Sequence, residues 1–247
     1  MATEDELIEL TRPDYWNQRY VLEKEMNHGE DLGSYEWFCD FGKLRPFFAK
    51  HLPAPSNNCH ILHLGCGNST MTADLYNLGY TNQTSVDFSP VVIEAMEAKY
   101  SELNTQWRVM DIRQLEIPDG SINVAIDKIT MDAMIHGSLW DPPEDVRRNV
   151  GQYVDEVARV LEPGGEWLYF TFRQPHFMRP LLAREGVWDL SVEVLNDGSG
   201  ALDYFGFKMT KHQDANLGLM PAMVYEEEKG GLHIGSGLEV LEMSVQA

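Results

Sequence analysis

Ile61-Leu62-His63-Leu64-Gly65-Cys66-Gly67-Asn68-Ser69 is an apolar run ending in two closely spaced glycines, and Asp87 follows the second glycine by twenty residues. Glycines in such a turn adopt backbone angles that a side chain forbids and let main-chain N–H groups approach a ligand. An acid one strand-helix-strand later is placed to accept both hydroxyls of a ribose. The pair predicts a site for an adenosine-type cofactor, either a dinucleotide or S-adenosylmethionine. A dinucleotide site calls for a third glycine beneath the pyrophosphate, and here that position is Thr70.

More acids fall at matching points. Hydrophobic patterning predicts parallel strands over 60–64, 83–86, 106–110, 122–126 and 166–172, alternating with helices over 71–78, 90–100 and 150–161. The first four strands end at Gly65, Asp87, Asp111 and Asp127. One aspartate there is a turn former, whereas a series at consecutive strand ends points to a ligand on the carboxyl edge of the sheet. For an adenosine ligand, Asp87 takes the ribose and Asp111 accepts from the adenine amino group. The Ile112 backbone reads the ring, and Phe88 packs on its face. Asp127 and the backbone near Gly65 then face the other end. If that end is methionine, its sulfonium and ammonium suit acids and aromatic faces. Trp16, Tyr20 and Trp37 offer such faces, although on spacing alone they read as core aromatics.

The elements that must position these residues form one domain over 1–247. Residues 1–20 read as an acidic tail running into the aromatic helix Tyr15–Tyr20, and Asn27–Ser34 as a polar stretch before Tyr35-Glu36-Trp37-Phe38. A helix over 44–52 stops at Pro53 and Pro55, and residues 1–58 are expected to be a helical lid segment covering the cofactor. Gly79 closes the 71–78 helix, Ser89 caps a helix opened by Pro90, and Pro118-Asp119-Gly120 and Pro163-Gly164-Gly165 are turns. Alternating runs over 187–195 and 202–210, joined by Asn196-Asp197-Gly198, form a hairpin. The core spans 59–210, and the extension 211–247, including Glu226-Glu227-Glu228, is irregular with a last short strand. The fold class is α/β: a doubly wound, Rossmann-like sheet, mostly parallel, with a carboxyl-terminal antiparallel hairpin.

The chain carries a formal net charge of -20. Its densest basic spot, Arg147-Arg148, is preceded by Glu144 and Asp145, so nucleic acid is not expected as a substrate. Asp141-Pro142-Pro143 lies well past the fourth strand end and reads as a loop before a helix. Such acidity serves solubility, or it attracts a basic partner or a cationic cofactor. Three cysteines, Cys39, Cys59 and Cys66, supply no disulfide framework and no zinc spacing. With no run long enough for a bilayer, and acids where a signal peptide carries lysines, the expectation is a cytoplasmic, reduced, metal-free protein.

Taken together, several motifs carry a resemblance over roughly Asp14 to Phe172. They are Tyr15-Trp16-Asn17-Gln18-Arg19-Tyr20, Tyr35-Glu36-Trp37-Phe38, Leu64-Gly65-Cys66-Gly67-Asn68-Ser69, Val86-Asp87-Phe88-Ser89, Met110-Asp111, Asp127-Lys128-x-Thr130-x-Asp132-Ala133 and Val160-Leu161-x-Pro163-Gly164-Gly165. The chain resembles the class I, seven-strand, S-adenosylmethionine-dependent methyltransferases. More narrowly, it is similar to the methyltransferase-like family that includes lysine methyltransferases of translation elongation factor one alpha. That resemblance implies cofactor contacts at Trp16, Tyr20, Trp37, Gly65, Asp87, Phe88, Asp111, Ile112 and Lys128, with Gly67 and Asn68 from the same turn. It reverses the reading of the aromatics as plain core. Lys128 is expected to act through its backbone or its stem, or to be paired with Asp127 or Asp132, because a free ammonium would oppose a sulfonium. The family pattern usually has glycine and leucine where this chain has Ile129 and Met131.

The implied reaction is methyl transfer to a lysine of a basic protein, with elongation factor one alpha as the expected partner. Such a displacement depends on positioning and desolvation, and the lysine, with a free pKa of about 10.4, must first lose its proton. No residue is spaced as an obvious general base; Asp132 and Tyr15 are the candidates to orient the amine. A small-molecule N-, O- or S-methyltransferase and a non-catalytic cofactor-binding regulator are the competing readings. A dehydrogenase is disfavoured by Thr70 and the terminal hairpin.

Overall fold

A computed structural model describes residues 4–27, 32–56, 58–195 and 203–215. Seven strands form one sheet: β1 Ile61–Leu64, β2 Gln83–Asp87, β3 Thr105–Val109, β4 Ile122–Lys128, β5 Leu161–Thr171, β6 Trp188–Leu195 and β7 Tyr204–Lys211. Their order is β3-β2-β1-β4-β5-β7-β6. The pairings among β1 to β5 are parallel, and β7 is antiparallel to both β5 and β6. The doubly wound α/β sheet with its antiparallel hairpin is thus the one the sequence predicts. Strand order reverses at β1, which lies between β2 and β4, and ligands of such sheets bind at that switch point. Register brings the edge residues together there, with Leu64 opposite both Val86 and Asp127, and Asp87 opposite Val109.

Among the described residues seven helices surround the sheet: α1 Glu4–Leu10, α2 Pro13–Met26, α3 Phe41–His51, α4 Met71–Asn77, α5 Pro90–Lys99, α6 Glu144–Val160 and α7 Pro175–Leu182. A 3-10 turn covers Met131–Met134. Alternate residues of β5 serve opposite faces, as strand geometry requires. Trp167 and Tyr169 join Tyr153 of α6 and Phe207 of β7 on one side. Leu168 and Phe170 join Phe47 and Phe48 of α3 on the other. A smaller cluster packs Tyr20 of α2 on Val92, Ile93 and Met96 of α5 and on Trp107. That contact carries the amino-terminal segment over the carboxyl edge of β1 and β2.

Several elements differ from the sequence expectation. Helix α6 begins at Glu144 rather than at 150, because Pro143 forms its N-cap and Glu144 and Asp145 complement the positive helix end. Only Val146 in that added turn is fully buried, so the periodicity there is weak. The supposed acidic tail contains α1, whose Leu7, Ile8 and Leu10 are half-buried while Glu4, Asp5, Glu6 and Glu9 face solvent. Helix α7 went unpredicted because Pro175 opens it and Pro180 lies inside it; Met178 and Leu182, four residues apart, are its buried face. Ser89 occupies the N-cap of α5, but its hydroxyl donates to Asn17 Oδ1 at 2.9 Å instead of capping the helix. The Asn196-Asp197-Gly198 turn and the extension beyond Ala215, with its last short strand, lie outside the described residues.

Candidate active site

The glycine turn after β1 has left-handed angles at Gly65 (φ 63°) and Gly67 (φ 51°). A Cβ on Gly65 would lie 2.3 Å from Thr130 Cγ2, and one on Gly67 would lie 3.0 Å from Tyr20 Oη. Gly65 is therefore required sterically as well as conformationally, while Gly67 is favoured by its left-handed angle and a Cβ there would press on Tyr20. The Cys66 N–H donates to the Val86 carbonyl at 2.9 Å, which pins the turn to β2.

Asp87 ends β2 beneath this turn and is 5% exposed. It accepts from the Gly67 N–H at 3.1 Å and the Ser89 N–H at 3.0 Å. Among the described residues it has no cationic partner. Burial raises its carboxyl to about 6 despite those backbone donors. A buried carboxylate with two donors still has lone pairs to fill, and two vicinal hydroxyls would fill them.

Above the turn opens a cavity of about 280 Å³. Its walls include Trp16, Tyr20, Trp37, Gly65, Gly67, Asn68, Asp87, Phe88, Asp111, Ile112 and Lys128, all expected at a cofactor site, together with Asp132. Phe88 is 36% exposed and presents an open ring face. Trp16 lies edge-on to Trp37 at 5.5 Å, and Trp37 edge-on to Tyr35 at 5.0 Å. These aromatics form a wall of the cavity, and of them Trp16 also packs on the core cluster around Tyr20. A glycine cradle, an acid short of donors and an aromatic wall fit an adenosine-bearing, cationic ligand.

Two expected residues are absent from the cavity wall. Tyr15 packs edge-on against Trp16 at 5.4 Å and pairs with Arg19 instead. Asp127 is fully buried and turned inward. It accepts from the Thr130 N–H at 2.7 Å, the Met131 N–H at 3.1 Å and the Tyr153 hydroxyl at 2.8 Å. Burial lifts its carboxyl to about 7. Asp127 thus shapes the turn after β4 rather than facing a methionine end.

The remaining acids of the wall are already paired. Asp111 receives the Arg113 guanidinium through Nε at 3.0 Å and Nη2 at 2.6 Å, and the Arg113 N–H at 2.9 Å. Burial raises the Asp111 carboxyl, but the Arg113 bonds outweigh that and hold it below its ordinary range. The Arg113 fork extends to Asn149 Oδ1 at 3.0 Å, so Asp111, Arg113 and Asn149 line the cavity as one bonded group. Asp132 accepts from Tyr169 Oη at 2.6 Å, Thr171 Oγ1 at 2.7 Å and Arg173 Nε at 3.1 Å. Burial keeps its carboxyl above the ordinary range in spite of those donors. Buried and held by these three donors, it is poorly placed to accept a proton from a substrate. Lys128 pairs with Glu36, not with Asp127 or Asp132.

Glu36, Arg113, Thr130 and Arg173 are the site residues that sequence reasoning missed. Glu36 carried one signal, an acid set among aromatics in Tyr35-Glu36-Trp37-Phe38, a segment that has to bury. Ile129 beside the cavity has φ 58°, a left-handed angle rare for a β-branched residue.

A model of the methyltransferase domain matches residues 61–165. EEF1A lysine methyltransferase 4 of Mus musculus is 40% identical over 166 residues, covering 66% of this chain and 62% of that protein. The eEF1A lysine and N-terminal methyltransferase of Homo sapiens is 31% identical over 212 residues, covering 80% of this chain and 28% of that protein. This chain thus spans less than two thirds of the length of these curated relatives. An S-adenosylmethionine-dependent methyltransferase from Mesorhizobium loti superposes with a TM-score of 0.52 at 14% identity, covering 68% of this chain and 98% of that one. The chain has the class I methyltransferase fold and resembles the elongation-factor lysine methyltransferases. No helix among the described residues is long and apolar enough to cross a membrane.

Proposed function

We propose that this class I methyltransferase-fold chain transfers methyl groups from S-adenosylmethionine to a lysine side chain of a basic protein, with elongation factor one alpha as the acceptor. One observation carries the reading. Among the described residues, every cation lining the cavity has an acid partner (Arg113 with Asp111, Arg173 with Asp132, Lys128 with Glu36), while Asp87 has no cationic partner. An aromatic cavity with one uncompensated acid favours a cationic occupant. Both a sulfonium and a lysine ammonium meet that description. The net charge of -20 supports a basic partner and argues against nucleic acid. The names of the mouse and human relatives both specify lysine on eEF1A.

Asp87, Phe88 and the Gly65–Asn68 turn would hold the adenosine, and Trp16, Tyr20 and Trp37 would face the methionine end. When bound, the cofactor supplies an electrophilic methyl group. The chain itself contributes alignment and the exclusion of water. Asp132 acts as a positioning residue that fixes Arg173 and the wall beside Ala133, and the lysine proton leaves to water. Residues 1–58 act as a lid, 59–210 as the core and 211–247 as an extension of one cytoplasmic domain.

Labelled methyl transfer from S-adenosylmethionine into whole-cell extract tests the reading, with Asp87→Ala as control. The expected result is a labelled protein band that the variant does not produce. Label confined to small molecules would favour the small-molecule methyltransferase instead.

A further inference from the structure

Glu36 lies between Tyr35 and Trp37, two aromatics of the cavity wall, yet its carboxylate reaches away from them to two other elements. Toward the glycine turn it accepts from Ser69 Oγ at 2.9 Å, the Thr70 N–H at 2.6 Å and Thr70 Oγ1 at 3.1 Å. Toward β4 it accepts from Lys128 Nζ. Lys128 in turn gives its other bonds to the same segment, to the Trp37 carbonyl at 3.1 Å and the Cys39 carbonyl at 3.2 Å. Its side chain is 8% exposed, so almost no water screens the charge. Between those two carbonyls the chain turns at Phe38 with φ 74°, a left-handed angle on a bulky residue. Such an angle persists only when its surroundings over-determine it, and the Lys128 bonds on either side do so.

We propose that Glu36 is a positioning residue with two linked tasks: it latches the Tyr35–Trp37 wall to the glycine turn, and it cancels the Lys128 charge so that the cavity accepts a cationic ligand. The second task follows from electrostatics. A buried ammonium on the wall of a cavity repels a sulfonium, and the repulsion is strong where the dielectric is low. With Glu36 beside it, Lys128 keeps its three bonds to Glu36, Trp37 and Cys39, and the pair presents no net charge. The inference rests on the reading that this cavity takes S-adenosylmethionine.

The test compares two ligands that differ by that one charge, S-adenosylmethionine and neutral S-adenosylhomocysteine, by calorimetric titration. Glu36→Gln preserves the size of the side chain and an acceptor for Ser69 and Thr70, but removes its charge. It is expected to raise the Kd for S-adenosylmethionine about tenfold more than the Kd for S-adenosylhomocysteine. Adding Lys128→Met to that variant should restore the wild-type ratio. Lys128→Met alone leaves an uncompensated acid and should shift the ratio the other way, which supplies a second arm if Glu36→Gln does not fold. Equal weakening of both ligands by Glu36→Gln would overturn the charge-cancelling role, and no weakening of either would overturn the latch as well. Failure of the wild-type chain to bind S-adenosylhomocysteine would instead defeat the reading of the cavity.

Discussion

Thr130 occupies the space that any side chain at Gly65 would need: its hydroxyl donates to the Leu64 carbonyl at 2.8 Å, and its Cγ2 would lie 2.3 Å from a Cβ on Gly65. Asp127 holds Thr130 there through a bond to its N–H at 2.7 Å. The end of β4 and the turn after β1 are therefore one unit, and the buried aspartate acts through the threonine on the glycine.

Gly65→Ala should break that unit. A left-handed angle costs an alanine about 1–2 kcal/mol, and Thr130 must also move. The expected result is a fall in melting temperature of about 2–4 °C per kcal/mol, with cofactor affinity reduced more than tenfold. Calorimetric titration with S-adenosylhomocysteine measures the second effect. Affinity within twofold of wild type would show that the turn does not approach the ligand.

Asp87 predicts a pH dependence. Its carboxyl is raised to about 6 in the folded chain, against an ordinary value of 3.8. Between those values the native state binds the extra proton, so the stability of the free protein falls as pH rises through the window and is flat above it. Ligand binding runs the other way. Ribose hydroxyls donate best to the ionised form, so affinity should weaken below about pH 6, approaching tenfold per pH unit. Titrations from pH 5 to 8 with wild type and Asp87→Asn test this; the variant should bind weakly and without that slope.

Asp132→Asn separates a structural from a proton-accepting role. The substitution offers an amide N–H₂ to a set of donors and leaves the Arg173 guanidinium, whose side chain is 10% exposed, without its acid. Breaking a buried pair costs about 3–5 kcal/mol. Denaturant unfolding should register that loss, and turnover by the folded fraction should keep the wild-type pH profile. Unchanged stability with an altered profile would make Asp132 the base.

Ile129→Gly tests the strained residue beside the cavity. Glycine relieves the left-handed angle, worth about 1–2 kcal/mol, but adds backbone entropy to the unfolded chain, worth about 0.5–1 kcal/mol. Stability should change little while the cavity widens. The KM for the acceptor should shift, with the Kd for S-adenosylhomocysteine unchanged. An equal effect on both would mean that Ile129 supports the cofactor instead.

How far the sequence reaches depends on the range of the interaction involved. The succession of strands and helices, and the carboxyl edge as the place for a ligand, followed from local signals: the glycines after β1, Asp87 twenty residues on, and the alternating apolar runs. The partners of the charged residues were not local. Lys128 lies 92 positions from Glu36, and Asp132 lies 41 from Arg173. Nothing in the spacing of Asp127-Lys128-Ile129-Thr130 distinguishes an aspartate turned inward to Tyr153 from one facing a ligand. Helices α1 and α7 were obscured by charge and by proline, since their partners are tertiary: α1 packs against α2 and the 3-10 turn, and α7 against α6.

The most direct measurement is mass spectrometry of purified elongation factor one alpha after incubation with this chain and S-adenosylmethionine, beside an Asp87→Ala control. The account predicts a mass gain of whole methyl groups on a lysine-bearing peptide, absent with the variant. An unmodified factor, with the methyl group recovered on a small molecule from the same cells, would contradict the proposed acceptor.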